Sequence, residues 1–125
     1  MSKKPRRIAI VEDDQAIALL LRELFTLEGY DVTVVSDGAR AMMQLRAEPF
    51  DAVVLDVMLP GRDGFEILRD IRGNEAMRYT PVIMLTALDD SKNTWEGWRA
   101  GCNLYLRKPF EPEQVVAAVR SVLAA

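Results

Sequence analysis

Ile8-Ala9-Ile10-Val11-Glu12-Asp13-Asp14 is the stretch whose reading decides the fold. Four apolar residues in a row, with no polar alternation, are the mark of a strand covered on both sheet faces. Acids follow at once, and Asp13 or Asp14 can cap a helix. From there to about Glu28, Ile17, Leu20, Leu21, Leu24 and Phe25 recur at helical spacing, and Gly29 is placed to end the helix.

The same unit repeats outward from this point. Val32 to Val35 is a second strand, and Ser36-Asp37-Gly38 turns into a helix carrying Ala41, Met42 and Leu45 that must stop before Pro49. Ala52 to Leu55 is a third strand, Pro60 to Gly64 a loop, and Phe65, Leu68 and Ile71 mark a helix ended by Gly73-Asn74. Val82 to Leu85 is a fourth strand, with a helix expected over 89–101. Leu104 to Leu106 is a short fifth strand, and Glu111 to Leu123 a last helix. Five strands each followed by a helix predict a parallel sheet with right-handed crossovers. The fold expected is α/β, a (βα)5 flavodoxin-like three-layer sandwich with strand order 2-1-3-4-5. It occupies residues 6–124 as one domain, and 1–5 form a short basic lead-in. Lys3, Lys4, Arg6 and Arg7 are read as solvated, and Met42, Met43 and Met84 as core filler.

Ligands of such sheets sit at the carboxyl ends of the strands. The first strand ends in Glu12-Asp13-Asp14, the third in Asp56, the fourth in Thr86, and Lys108 follows the fifth by one residue. Taken singly, Asp14 and Asp37 read as helix caps, Lys108 as a solvated lysine and Thr86 as a strand-end residue. Four strand ends that agree carry more weight. Carboxylates a few Å apart stay ionised together only with a cation among them. Hard oxygen donors without Cys or His favour Mg²⁺ or Mn²⁺ over zinc. An ammonium and a hydroxyl beside them suit the oxygens of a transferring phosphoryl group, for which a carboxylate can be the nucleophile.

Composition removes other classes. The chain has 125 residues, no His, a single Cys and a net charge of −3. That excludes histidine-based catalysis and an internal disulfide, fits a reducing cytoplasm, and argues against a dedicated nucleic-acid surface. No apolar stretch approaches the roughly 20 residues that span a bilayer. Cys102 has no visible base to activate it.

Val11-Glu12-Asp13-Asp14, Val54 to Gly64, Pro81 to Ala87 and Lys108-Pro109-Phe110, in this order and at these separations, resemble the receiver domain of two-component response regulators (CheY-like) over essentially the whole chain. The resemblance implies that Asp56 is the phosphoacceptor. It implies a Mg²⁺ site of Asp13, Asp56 and the Met58 backbone carbonyl, with Glu12 acting through water. Thr86 and Lys108 become the switch hydroxyl and the phosphate-contacting lysine, small Ala87 admits the phosphoryl group, and the Lys108–Pro109 bond is cis. Tyr105 becomes the aromatic partner of Thr86. The donor is a histidine kinase or histidine phosphotransfer protein. The output is the surface of the helix over 89–101, the fifth strand and the last helix, presented to a downstream protein without direct contact to nucleic acid or membrane. The implied activity is a switch that assists its own phosphorylation, not a metabolic enzyme.

Three features are particular to this chain. Asn103-Leu104 stands where the family often has an acidic pair. Gln114 and Ala118 stand where some DNA-binding members carry charges of an active dimer. Trp98 falls on the output face, and Trp98→Ala is expected to weaken partner binding and leave phosphorylation intact; Trp95 is expected in the core. Met58 and Leu88, two residues beyond Asp56 and Thr86, are apolar and cannot orient an attacking water, so slow self-dephosphorylation is expected. Aspartate-nucleophile phosphohydrolases carry a second Asp that Asp56-Val57-Met58-Leu59 lacks. A flavin or nucleotide carrier would show a Gly-rich loop after the first strand, and none is present.

Overall fold

The continuous apolar runs form the sheet. The computed structural model describes residues 4–87 and 101–124. Strands β1 (Arg7–Val11), β2 (Asp31–Val35), β3 (Ala52–Asp56), β4 (Val82–Thr86) and β5 (Leu104–Arg107) make one parallel sheet in the order β2-β1-β3-β4-β5. Helices α1 (Gln15–Leu27), α2 (Gly38–Ala47), α3 (Gly64–Gly73) and α4 (Pro112–Ala124) cover it. The helix expected over 89–101 lies outside the described residues up to position 100, Trp95 and Trp98 included, as does Leu88.

Period-two alternation sorts each strand between two buried layers. Ala9, Val11, Val53, Leu55, Val82 and Met84 pack under α2 and α3. Ile8, Ile10, Val54, Ile83 and Leu85 pack under α1 and α4. β1, β3 and β4 are buried on both faces, as their unbroken apolar runs predict.

The polar punctuation also acts locally. Asp14 caps α1 by accepting from the Ala16 and Ile17 N–H groups at 3.0 and 3.1 Å; Asp37 caps α2 and Asp63 caps α3. Gly29, at φ 92°, follows the C-cap of α1 in the left-handed region. The Gln114 side chain accepts from the Glu111 N–H at 2.8 Å, the return half of a capping box at the start of α4.

Two expectations are corrected. Arg7 is not part of a solvated lead-in: it opens β1. Its N–H donates to Asp51 at 2.7 Å, and its guanidinium meets Asp31, Glu48 and the Pro49 carbonyl while lying 4.8 Å from the centre of the Phe50 ring. Strand entry brings together partners far apart in sequence, which a basic N-terminal composition does not reveal. Met43 is 65% exposed, so it does not fill the core; it lies beside buried Met42, at the edge of the apolar arc of α2.

Candidate functional site

Strand geometry delivers the polar residues to one rim. Val11 is the last residue of β1, and Glu12 follows it with its N–H donated to the Val35 carbonyl of β2 at 3.0 Å. This keeps Glu12 under the surface, 1% exposed. Asp56 and Thr86 are the terminal residues of β3 and β4, and both are buried. Lys108 lies just past β5, its N–H donated to the Thr86 carbonyl at 2.6 Å, and the following bond to Pro109 is cis.

Lys108 Nζ donates to Glu12 Oε1 at 2.9 Å and to Asp56 Oδ2 at 3.0 Å. The other Asp56 oxygen accepts from the Met58 N–H at 3.2 Å, and Glu12 Oε2 accepts from the Asp14 N–H at 3.3 Å. Asp13 is solvent-exposed, yet carboxylate oxygens of Glu12, Asp13 and Asp56 all lie within 4.8 Å of one another. Ala87 is exposed at the same strand end, leaving that side of the rim sterically light.

The electrostatics follow from burial. Two ionised carboxylates at such a separation repel by about 3 kcal/mol at an effective dielectric near 20. Burial, followed by the hydrogen bond and charge of Asp56, pushes the Glu12 carboxyl up to about 8 against the opposing pull of Lys108. Burial pulls Lys108 down, but its bonds to Glu12 and Asp56 and their charges outweigh this, and the ammonium is held above its usual range. One ammonium therefore faces three acids. This is a donor set short of positive charge, built only from hard oxygens, and it fits a small divalent cation such as Mg²⁺.

Tyr105 is half-buried against the apolar layer under α2 and α3, with its hydroxyl inside. It is in register with Met84, so Thr86 stands two residues further along the neighbouring strand on the same sheet face. The structure thus brings Glu12, Asp13, Asp56 and Lys108 together, with Met58 and Thr86 bonded to them through the backbone. Trp98 lies outside the described residues.

Two contributors escaped the sequence reading. A Cβ on Gly64 would stand 2.3 Å from the Asp56 carbonyl oxygen, so only glycine lets α3 start this close to β3. Arg72 fastens the end of α3 to the entries of β4 and β5: it donates to the carbonyls of Gly101 at 2.9 Å and Thr80 at 2.7 Å, and to Asn103 Oδ1 at 2.9 Å. Asn103 Oδ1 also accepts from the Val82 N–H at 2.8 Å, a task for the residue that departs from the family's acidic pattern. Cys102 is buried beneath, its thiol pushed up to about 11 by burial, which keeps it unreactive.

A parallel 2-1-3-4-5 sheet with an acidic rim and a lysine after the last strand defines a class. The family model for the response regulator receiver domain matches residues 8–120. The chain belongs to this family, which serves two-component signalling and is not one of metabolic enzymes. It is 39% identical over 123 residues to Protein PetR of Rhodobacter capsulatus, covering 98% of this chain and 51% of that protein. It is 37% identical over 123 residues to the DNA-binding response regulator MtrA of Mycobacterium tuberculosis, covering 98% and 53%. The chain spans about half the length of these curated relatives, and their names lend no support to excluding nucleic acid as a partner of a longer protein. Among solved structures, the receiver domain of the sensor histidine kinase PA1611 from Pseudomonas aeruginosa, with a magnesium ion in its active-site cleft, superposes with a TM-score of 0.87 at 30% identity, covering 97% of this chain and 99% of that one. No helix among the described residues is long and apolar enough to cross a membrane.

Proposed function

We propose that this domain accepts a phosphoryl group on Asp56 from the phosphohistidine of a histidine kinase or histidine phosphotransfer protein, with Mg²⁺ at the rim. One observation carries the reading: three carboxylates gathered within 4.8 Å, two of them bridged by the same lysine ammonium. Asp13, Asp56 and the Met58 carbonyl would hold the cation, with Glu12 contributing through water. When bound, Mg²⁺ neutralises charge on the phosphoryl oxygens. The magnesium-bearing relative supports this choice of metal.

The chain's own residues do the rest. Asp56 Oδ attacks phosphorus in line, the phosphorus–nitrogen bond to the donor histidine breaks, and that nitrogen leaves with the bonding pair. Lys108 is already 3.0 Å from the Asp56 carboxylate, placed to hold a phosphoryl oxygen as charge builds on it. Ala87 leaves the entrance clear. Thr86, on the face it shares with Tyr105, turns its hydroxyl to the new oxygens, and the space released near Tyr105 favours an inward rotamer. Phosphorylation biases a pre-existing equilibrium of the surface around β5 and α4, read by a downstream protein.

The test is labelling by phosphoramidate. Wild-type protein is expected to gain one phosphoryl group with Mg²⁺ and none with EDTA, and Asp56→Asn none in either. Equal labelling of Asp56→Asn would overturn the proposal.

A further inference from the structure

The loop from Val57 to Asp63 carries the Met58 carbonyl and is held from both sides by glycine backbone. At one end, the Gly64 N–H donates to the Val57 carbonyl at 2.7 Å. At the other, the loop rests on the first residue of a different helix: the Gly38 N–H of α2 donates to the Pro60 carbonyl at 3.0 Å. A Cβ on Gly38 would stand 2.6 Å from the Arg62 carbonyl oxygen, 3.0 Å from that of Pro60 and 3.1 Å from the Arg62 nitrogen. All three are backbone atoms, so no flexible side chain can yield in their place. Gly38 is not in the left-handed region, so nothing about its own conformation calls for glycine; the neighbouring loop does.

Gly61 meets the same helix start from the loop side. It has φ +85°, and a Cβ there would approach Ala39 Cβ to 3.1 Å and Asp37 Oδ1 to 3.4 Å. Met58 sits between the two clamps, its N–H bonded to Asp56. We infer that Gly38 is a positioning residue for the metal site: by lacking a side chain it lets the start of α2 set the height of the Met58 carbonyl over the Asp13–Asp56 rim. This rests on the magnesium reading above.

The test is calorimetric titration of the full chain with MgCl₂, paired with thermal unfolding in EDTA. Gly38→Ala is expected to bind Mg²⁺ about tenfold more weakly or worse, the scale at which supporting contacts act on metal affinity, while remaining folded. Gly61→Ala, strained by its own positive φ as well as by its approach to Ala39, is expected to weaken binding in the same direction, and wild-type affinity there would overturn the inference should Gly38→Ala fail to fold. Gly73→Ala, where nothing lies within 4 Å of the added carbon, is expected to bind as wild type does. Wild-type affinity in both loop variants, whatever their melting temperatures, would overturn the inference and leave the proposed function standing. Absence of Mg²⁺ binding by the wild type would overturn both.

Discussion

Replacing the titrating carboxyl of Glu12 gives a stability signature that few other groups in the chain can imitate. Its carboxyl is pushed from an ordinary 4.5 to about 8, first by burial and then by Asp56. Between those values the unfolded chain has released this proton and the native protein still holds it. A raised native pKa therefore contributes stability that is complete below about 4.5 and is lost as pH rises toward 8. One proton corresponds to about 1.4 kcal/mol per pH unit, so stability should fall by about 3 kcal/mol between about pH 5.5 and about pH 7.5 in metal-free buffer. The chain has no histidine, so this window is almost free of other side-chain titrations. Lys108, raised above its ordinary 10.5, would lose its contribution only at still higher pH. The assay is urea unfolding in EDTA across that range for wild type and Glu12→Gln, which keeps the shape and removes the proton. Glu12→Gln should show a flat profile and exceed wild type in stability at the alkaline end. Saturating Mg²⁺ should flatten the wild-type slope, since a cation favours the ionised carboxylate. Parallel slopes for the two proteins would refute the reasoning.

Other expectations follow from single contacts. Lys108→Met removes the ammonium bridging Glu12 and Asp56; metal-free stability near neutral pH should drop by about 2 kcal/mol, and labelling by phosphoramidate should slow, measured by unfolding and by intact mass. Arg72→Ala should cost about 2 kcal/mol by releasing the ends of α3, β4 and β5, and Arg72→Lys should recover little of it, because one ammonium cannot reproduce the fork that reaches Gly101, Thr80 and Asn103. Met58 is 58% exposed beside Asp56 and offers water no hydrogen bond from its side chain. Wild-type phosphoprotein should persist for minutes or longer, as an order of magnitude, and Met58→Asn should shorten its half-life in a time course.

Most of the fold was legible because its central strands are buried on both faces. Ile8 to Val11, Ala52 to Leu55 and Val82 to Leu85 are unbroken apolar runs for that reason, and chain order then leaves few windings. The rim was legible because strand ends are points where a continuous pattern stops, and Glu12, Asp56 and Thr86 stand at three of them. What escaped depends on separations a linear reading does not measure. Arg7 reads as one more cation in a basic lead-in until β1 sets it against residues 24 to 44 positions away. Gly38 and Gly64 read as turn residues; only the close approach of another backbone shows why glycine stands at each. Met43 reads as core filler beside Met42; composition alone does not show the line where an apolar arc stops being covered.

The central claim is that the acid at the end of β3 is the cation-dependent phosphoacceptor of this rim. Its most direct measurement is the position of the phosphoryl group itself: wild-type protein labelled by phosphoramidate in MgCl₂, digested, and mapped by fragmentation mass spectrometry. The account predicts a single acyl phosphate on Asp56, labile to alkali and cleaved by hydroxylamine, absent when EDTA replaces magnesium. A phosphoryl group on any other residue, or one on Asp56 that forms equally well without a divalent cation, would contradict it.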